Sequence, residues 1–257
     1  AIANPAAIRS ATDGVLVNGP TYVVDNPPNY SNYSLSLDGA NDYVDCGTGL
    51  GTALGDNYAG SLTFSVWFKA DVTSGNDGLL YIGDFAGTQG EFQISFQSNT
   101  VYYTLNDNGW QRTFSFTDTT NWNHLVVVYA AGSEANSLVY LNGIPHTAAA
   151  SGSFPSAADM DFSGLKTIIG AYNASGHPFD GKIDEVAIWN SALTSAQIND
   201  IYNGGVPAAL ADSPIGWWRF GENDSGAGVT ITDQGSGTNN GTLTNGPTFS
   251  RSVPAED

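Results

Sequence analysis

Apolar and polar residues alternate with period two along several stretches of the chain. From Leu62 to Lys69, Leu62, Phe64, Val66 and Phe68 fall on one side, and Thr63, Ser65, Trp67 and Lys69 on the other. Phe92, Ile94 and Phe96 alternate with Gln93, Ser95 and Gln97, and Phe114 and Phe116 with Thr113 and Ser115. Each pattern predicts a half-buried strand. Leu125 to Tyr129, Ser137 to Leu141, Thr167 to Ile169 and Val186 to Trp189 are more continuously apolar, as in strands covered on both faces or central in a sheet. Asn108-Gly109 separates Val101–Leu105 from Trp110–Phe116 and predicts a hairpin with a type I′ turn; Asn142-Gly143 after Leu138–Leu141 reads the same way.

One helix stands out near residues 194–203. Thr194-Ser195-Ala196-Gln197 is a capping box, Leu193 and Ile198 are placed for a hydrophobic staple, and Asn203-Gly204-Gly205 stops the run. The pattern therefore predicts an all-β, two-sheet antiparallel jelly-roll sandwich with one short helix. An imperfect repeat brackets it. Gly14-Val15-Leu16-Val17-Asn18-Gly19-Pro20-Thr21-Tyr22 returns, 227 residues later, as Gly241-Thr242-Leu243-Thr244-Asn245-Gly246-Pro247-Thr248-Phe249. Two copies are too few for a solenoid. Either one turn motif is used twice, or the chain ends just inside a second, similar unit.

Composition agrees with this reading. The 257 residues include 31 Gly and 12% aromatics, and 25 acidic residues stand against 7 basic ones, a net charge of −18. Such a surface repels phosphate backbones and anionic lipid, so neither nucleic-acid nor membrane-surface binding is expected. No apolar run is long enough to span a bilayer, and membrane insertion is not expected either. The single cysteine, Cys46, allows no intrachain disulfide, and a chain of this length builds a large core without one. The chain starts at Ala1 without a Met or a signal peptide, which reads as a processed or trimmed product.

Several segments resemble a known family. Ser36-Leu37-Asp38-Gly39-Ala40-Asn41-Asp42-Tyr43-Val44 is similar to the opening strand of laminin-G-like, concanavalin A-like jelly-roll domains, and Leu62–Lys69 to their next core strand. Asn121–Leu125 with Val139–Gly143 resembles their central pair. Ile168-Ile169-Gly170, Phe179–Asn190 and the capped helix resemble their ending, which is also similar to pentraxins. The resemblance covers about residues 30–205. Gly216-Trp217-Trp218-Arg219-Phe220 through Pro247 resembles the strand segment that usually precedes the opening strand in such domains, here placed after the helix. The expected organisation is a sandwich over 1–205 with its lead-in, and a segment 206–257 that completes it or contacts a neighbouring copy.

Function is less constrained, because this fold carries lectins, glycosidases, adhesion modules and virion proteins. Catalysis is not expected: none of the five Glu is paired at strand spacing with another Glu, and His124, His146 and His177 form no ligand pattern. The resemblance brings the strands of Asp38 and Asp184 together, which makes Asp38, Asp42 and Asp184 candidate Ca²⁺ ligands; a turn and a structural acceptor are the alternatives. Glycan binding needs aromatic faces beside amide or charged hydrogen-bonding groups. Trp110 and Arg112 near one turn, and Tyr172, Asn173 and His177 in one loop, are the candidates. The favoured reading is a non-catalytic extracellular or cell-surface binding or adhesion module, glycan-directed and calcium-dependent. The alternatives are a structural virion protein that self-assembles through residues 210–257, and a glycoside hydrolase of the same superfamily.

Overall fold

A computed structural model describes residues 31–84, 90–106, 109–172, 177–208, 210 and 212–254. Two antiparallel sheets face each other. The first runs, in spatial order, β10 (Ile144–His146), β9 (Val139–Leu141), β8 (Asn123–Tyr129), β3 (Leu62–Ala70), β13 (Asp180–Trp189), β1 (Ser34–Asp38) and β17 (Thr248–Ser250), with β14 (Gly216–Trp218) also on β13. The second runs β11 (Ala149–Gly152), β7 (Trp110–Ser115), β6 (Thr100–Leu105), β5 (Gly90–Gln97), β4 (Asn76–Gly83), β12 (Lys166–Ile169), β2 (Tyr43–Asp45), β16 (Gly241–Thr244) and β15 (Thr230–Ile231).

The alternation in β3 sends Leu62, Phe64, Val66 and Phe68 inward, where they meet Phe92, Ile94 and Phe96 of β5. Phe64 and Phe92 stack at 3.5 Å between centroids, and Phe68 lies 5.5 Å from Phe96. The continuous apolar runs are explained by a second layer. Val126, Val128, Ala187 and Trp189 point outward from the first sheet and are covered by Leu193, Ile198 and Ile201.

The covering element is α2 (Ser195–Tyr202), capped as the sequence predicts: Thr194 Oγ1 accepts from Gln197 N, and Thr194 N donates to Gln197 Oε1 at 2.7 Å. Asn203 in the left-handed region (φ 47°) ends it. A six-residue helix, α1 (Gly49–Leu54), is an addition to the expected elements. At Asn142-Gly143 both residues have positive φ, 53° and 74°, and Leu141 pairs with Ile144, which is the two-residue type I′ hairpin. The other hairpin differs. Its ladder closes at Leu105 and Trp110, so the loop has four residues, and Gly109 N donates to Asn106 O at 2.7 Å; Asn108 lies outside the described residues.

The segment after α2 returns to the same two sheets. Val186 pairs with Trp218 and Ala187 with Trp217, so the indoles project to opposite sides of the first sheet. Trp218 and Phe220 join the central core, and Trp217 packs on the outer layer. Fully burying side chains of this kind is worth about 1.5–3 kcal/mol each. Asp233 fixes the following loop by accepting from Trp217 N, Gly235 N and Asn239 N at 2.7–2.8 Å.

Candidate functional site

The outward side of β3 carries Thr63, Ser65 and Trp67, and a cleft opens above its far end. Trp67, Asn121, Trp122, Asn142, Tyr202, Gly204, Gly205 and Val206 line about 420 Å³. Its base is a set of near-parallel rings: Trp67 lies 4.6 Å from His124 and 5.8 Å from Tyr202, with interplanar angles of 19° and 14°. His124 is held from below by Ser65, whose Oγ is 2.7 Å from Nε2. Burial lowers the His124 pKa to about 3, so the ring is neutral at physiological pH.

The rim is built by turns. In the Asn142-Gly143 turn, Asn142 Oδ1 accepts from His124 N at 2.8 Å and Nδ2 donates to Asn123 Oδ1 at 2.9 Å. Gly143 lies under Tyr202, where a Cβ would come 2.6 Å from the ring's Cδ1, so only glycine allows this approach. Asn121 is fixed through Asp118, which also accepts from Thr120 N and Asn121 N. Partial burial pushes the Asp118 carboxyl up, but these bonds outweigh it and hold it well below the usual carboxylate range. Among the described residues, neither acidic nor basic side chains line the cleft. Trp67 and Trp122 are themselves only 3% and 8% exposed, so the ring surface on offer is chiefly that of Tyr202, beside carboxamides and glycine backbone, which suits an uncharged ligand carrying both C–H faces and hydroxyls.

The residues singled out from the sequence fall in other places. Trp110 is a core residue: it is fully buried, edge-on to Tyr103 and Phe154 at 5.4 and 5.3 Å, with Nε1 donating to Glu134 Oε1. It presents no face for stacking, because the hairpin register turns it inward. Arg112 lies over its ring at 5.2 Å and donates to Glu134 O at 3.1 Å, clamping the sandwich rim. Tyr172 and His177 do come together, as parallel rings 4.2 Å apart that are both tied to Asn76. Both are half-buried, and Tyr172 packs beside Tyr81 and Ile168, on the outside of the second sheet. Asn173 lies outside the described residues.

The proposed calcium ligands do not converge. The β1–β13 register sets Asp38 opposite Asp180, and Asp42 Oδ2 accepts from Asp38 N at 3.2 Å. Asp184 is four residues further along β13, about 13 Å away at ~3.3 Å per residue. It is fully buried. Among the described residues no group of three or more His, Cys, Asp or Glu is placed to hold a metal ion. The donor set read from the sequence therefore does not fit a shared Ca²⁺.

Asp184 belongs instead to a buried polar anchor. A bulge in β13 puts Glu185 at φ 47°, with its carboxylate accepting from Arg219 Nε at 2.8 Å and Trp217 Nε1 at 2.7 Å. Glu222 Oε1 accepts from Ser31 Oγ, Asn32 N and Tyr33 N. Burial, with Glu185 and Glu222 close by, raises the Asp184 carboxyl well above its ordinary range. These carboxylates tie the C-terminal segment to the sheet.

The sandwich, its covering helix and the order of its strands define a lectin-like jelly roll. Residues 38–199 match the laminin-G-type family model described as the concanavalin A-like lectin/glucanases superfamily, and the chain belongs to that superfamily. No curated protein matches the chain. Among solved structures it is similar to a candidate carbohydrate binding protein from Bacteroides ovatus, at 18% identity and a TM-score of 0.62. That match covers 88% of this chain and 62% of the other, so the chain spans less than two thirds of that relative's length. It is also similar to the CBM40 of a Ruminococcus gnavus sialidase bound to α2,3-sialyllactose, at 16% identity and a TM-score of 0.48, covering 67% of this chain and 96% of that one. A sialidase from Streptococcus pneumoniae matches at 19% identity and a TM-score of 0.48, covering 73% and 29%. No helix among the described residues is long and apolar enough to cross a membrane.

Proposed function

We propose that the chain is a non-catalytic glycan-binding module acting outside the cell or at its surface, and that the cleft beside Trp67, Trp122 and Tyr202 receives the sugar. The observation that carries this reading is the uncharged lining of aromatic rings and carboxamides in a volume of ligand size. A sugar's C–H face stacks on a ring while its hydroxyls meet amide groups. The uncharged lining among the described residues, with a net charge of −18, favours neutral over sialylated saccharides. The carbohydrate-binding description of the Bacteroides relative supports the same class.

An array of neutral and sialylated oligosaccharides tests this. Neutral ligands should bind, in EDTA as well as in calcium. Tyr202→Ala and Asn121→Ala should each weaken binding about tenfold, a loss of ~1.4 kcal/mol, while Tyr172→Ala leaves it unchanged. Binding lost only in Tyr172→Ala would move the site to the second sheet, and preference for sialylated ligands would refute the neutral assignment.

A further inference from the structure

The carboxamides beside the cleft form a chain whose direction starts at one carboxylate. Asp118 Oδ1 accepts from Thr120 N, Thr120 Oγ1 and Asn121 N at 2.9–3.1 Å, and these bonds hold the group ionised. An ionised carboxylate has no proton to give, so an amide that meets it must present its nitrogen. Asn121 does so: Nδ2 donates to Asp118 Oδ2 and to Thr120 Oγ1, both at 3.1 Å. The Thr120 hydroxyl proton is itself committed to Asp118, so its oxygen acts as an acceptor. Both Nδ2 hydrogens of Asn121 are therefore used, and turning the amide over would set Oδ1 against two acceptors.

The same logic runs inward. Asn123 Nδ2 donates to Asp118 Oδ2 at 3.3 Å and to Asn121 O at 3.0 Å, which leaves Asn123 Oδ1 to accept from Asn142 Nδ2. Asn142 Oδ1 in turn accepts from His124 N. Asn123 is buried within this chain, whereas Asn121 is exposed and lines the cleft. Among the described residues nothing donates to Asn121 Oδ1. What this side chain offers a ligand is an acceptor with no donor beside it.

Resting on the cleft as the sugar site proposed above, we infer that Asn121 is a specificity-determining residue, fixed by Asp118 as an acceptor alone, and that it selects saccharides presenting a hydroxyl or amide donor at this point over those carrying only an acceptor there. A fluorine in place of the hydroxyl would face the Asn121 oxygen with no hydrogen between them, which is worse than losing the bond alone. Asp118 does not line the cleft and is a positioning residue that acts through Asn121.

Titration calorimetry of the full chain tests this, with a neutral oligosaccharide that binds on the array and its single-position deoxy and deoxyfluoro derivatives. At the hydroxyl read by Asn121, the deoxy derivative should bind the wild type about tenfold more weakly and the deoxyfluoro derivative at least as weakly as that. In Asn121→Ala the three affinities should come within about twofold of one another. In Asp118→Asn, which frees Asn121 to present its nitrogen, the deoxyfluoro derivative should overtake the deoxy one, whereas a merely loosened loop would lower all three affinities together. A deoxyfluoro derivative that binds the wild type better than the deoxy one at every position, or a hydroxyl preference that survives Asn121→Ala, would overturn the inference and leave the cleft as the sugar site. An unchanged order in Asp118→Asn would overturn the role of Asp118. A parent oligosaccharide whose binding is indifferent to Tyr202→Ala would overturn the cleft itself, and the selectivity with it.

Discussion

The two sides of β3 carry the same alternation and opposite chemistry. Inward, Phe64, Val66 and Phe68 are wholly buried among other hydrocarbon. Outward, Thr63 Oγ1 donates to Ser191 O, Ser65 meets His124, and Trp67 lies against two further rings at the cleft. The inner side holds the sheets together by volume alone, whereas the outer side has directed bonds, a titratable ring and open space. Stability and recognition are thus carried by neighbouring residues of one strand, and they can be perturbed separately.

The largest effect should come from the inner side. Phe64→Ala removes a ring stacked on Phe92 and should cost about 3–5 kcal/mol in urea unfolding, with the affinity of the remaining folded protein unchanged. A cost below ~1 kcal/mol would mean that the face-to-face packing is not what joins the sheets.

The outer side should respond to acid. His124 has a folded pKa of about 3 against an ordinary value of 6.5. Between these values the unfolded chain binds the extra proton, so the His124 contribution to stability is full above about pH 6.5 and falls as pH drops, by up to ~1.4 kcal/mol per pH unit, while the raised Asp184 carboxyl works in the opposite direction. His124→Gln should flatten that part of the profile, measured by urea unfolding between about pH 4 and 7. An unchanged slope would place the acid sensitivity elsewhere.

A smaller effect should come from the helix that carries Tyr202. Thr194→Ala removes the capping bonds and should cost about 1 kcal/mol. Because Tyr202 ends that helix, sugar affinity should fall with it. A stability loss with affinity intact would detach the cleft from α2.

Much of the fold was readable because its signals are local. The period-two strands, the Asn142-Gly143 hairpin and the Thr194–Gln197 cap each need only a few adjacent residues. The site was less readable because it depends on contacts distant in sequence. Trp67 was visibly on the polar side of its strand, but its nearness to Asn121, Asn142 and Tyr202 follows from strand order and helix docking. Trp110 beside a turn looked available, yet the four-residue loop sets a register that turns it inward. The separation of Asp38 and Asp42 from Asp184 likewise depends on register, which no acidic pattern encodes. The anchor of Glu185 with Arg219 and Trp217 spans more than thirty positions, and its one local hint is an arginine set beside two tryptophans.

The most direct test of the sugar cleft is an NMR titration of the labelled chain with a neutral oligosaccharide selected on the array. The indole N–H of Trp122, the side-chain amide of Asn121 and the backbone amides of Gly204 and Gly205 should shift together and saturate at one ligand concentration. Saturable shifts confined to Tyr172, His177 and their neighbours, with the cleft resonances unmoved, would contradict the account.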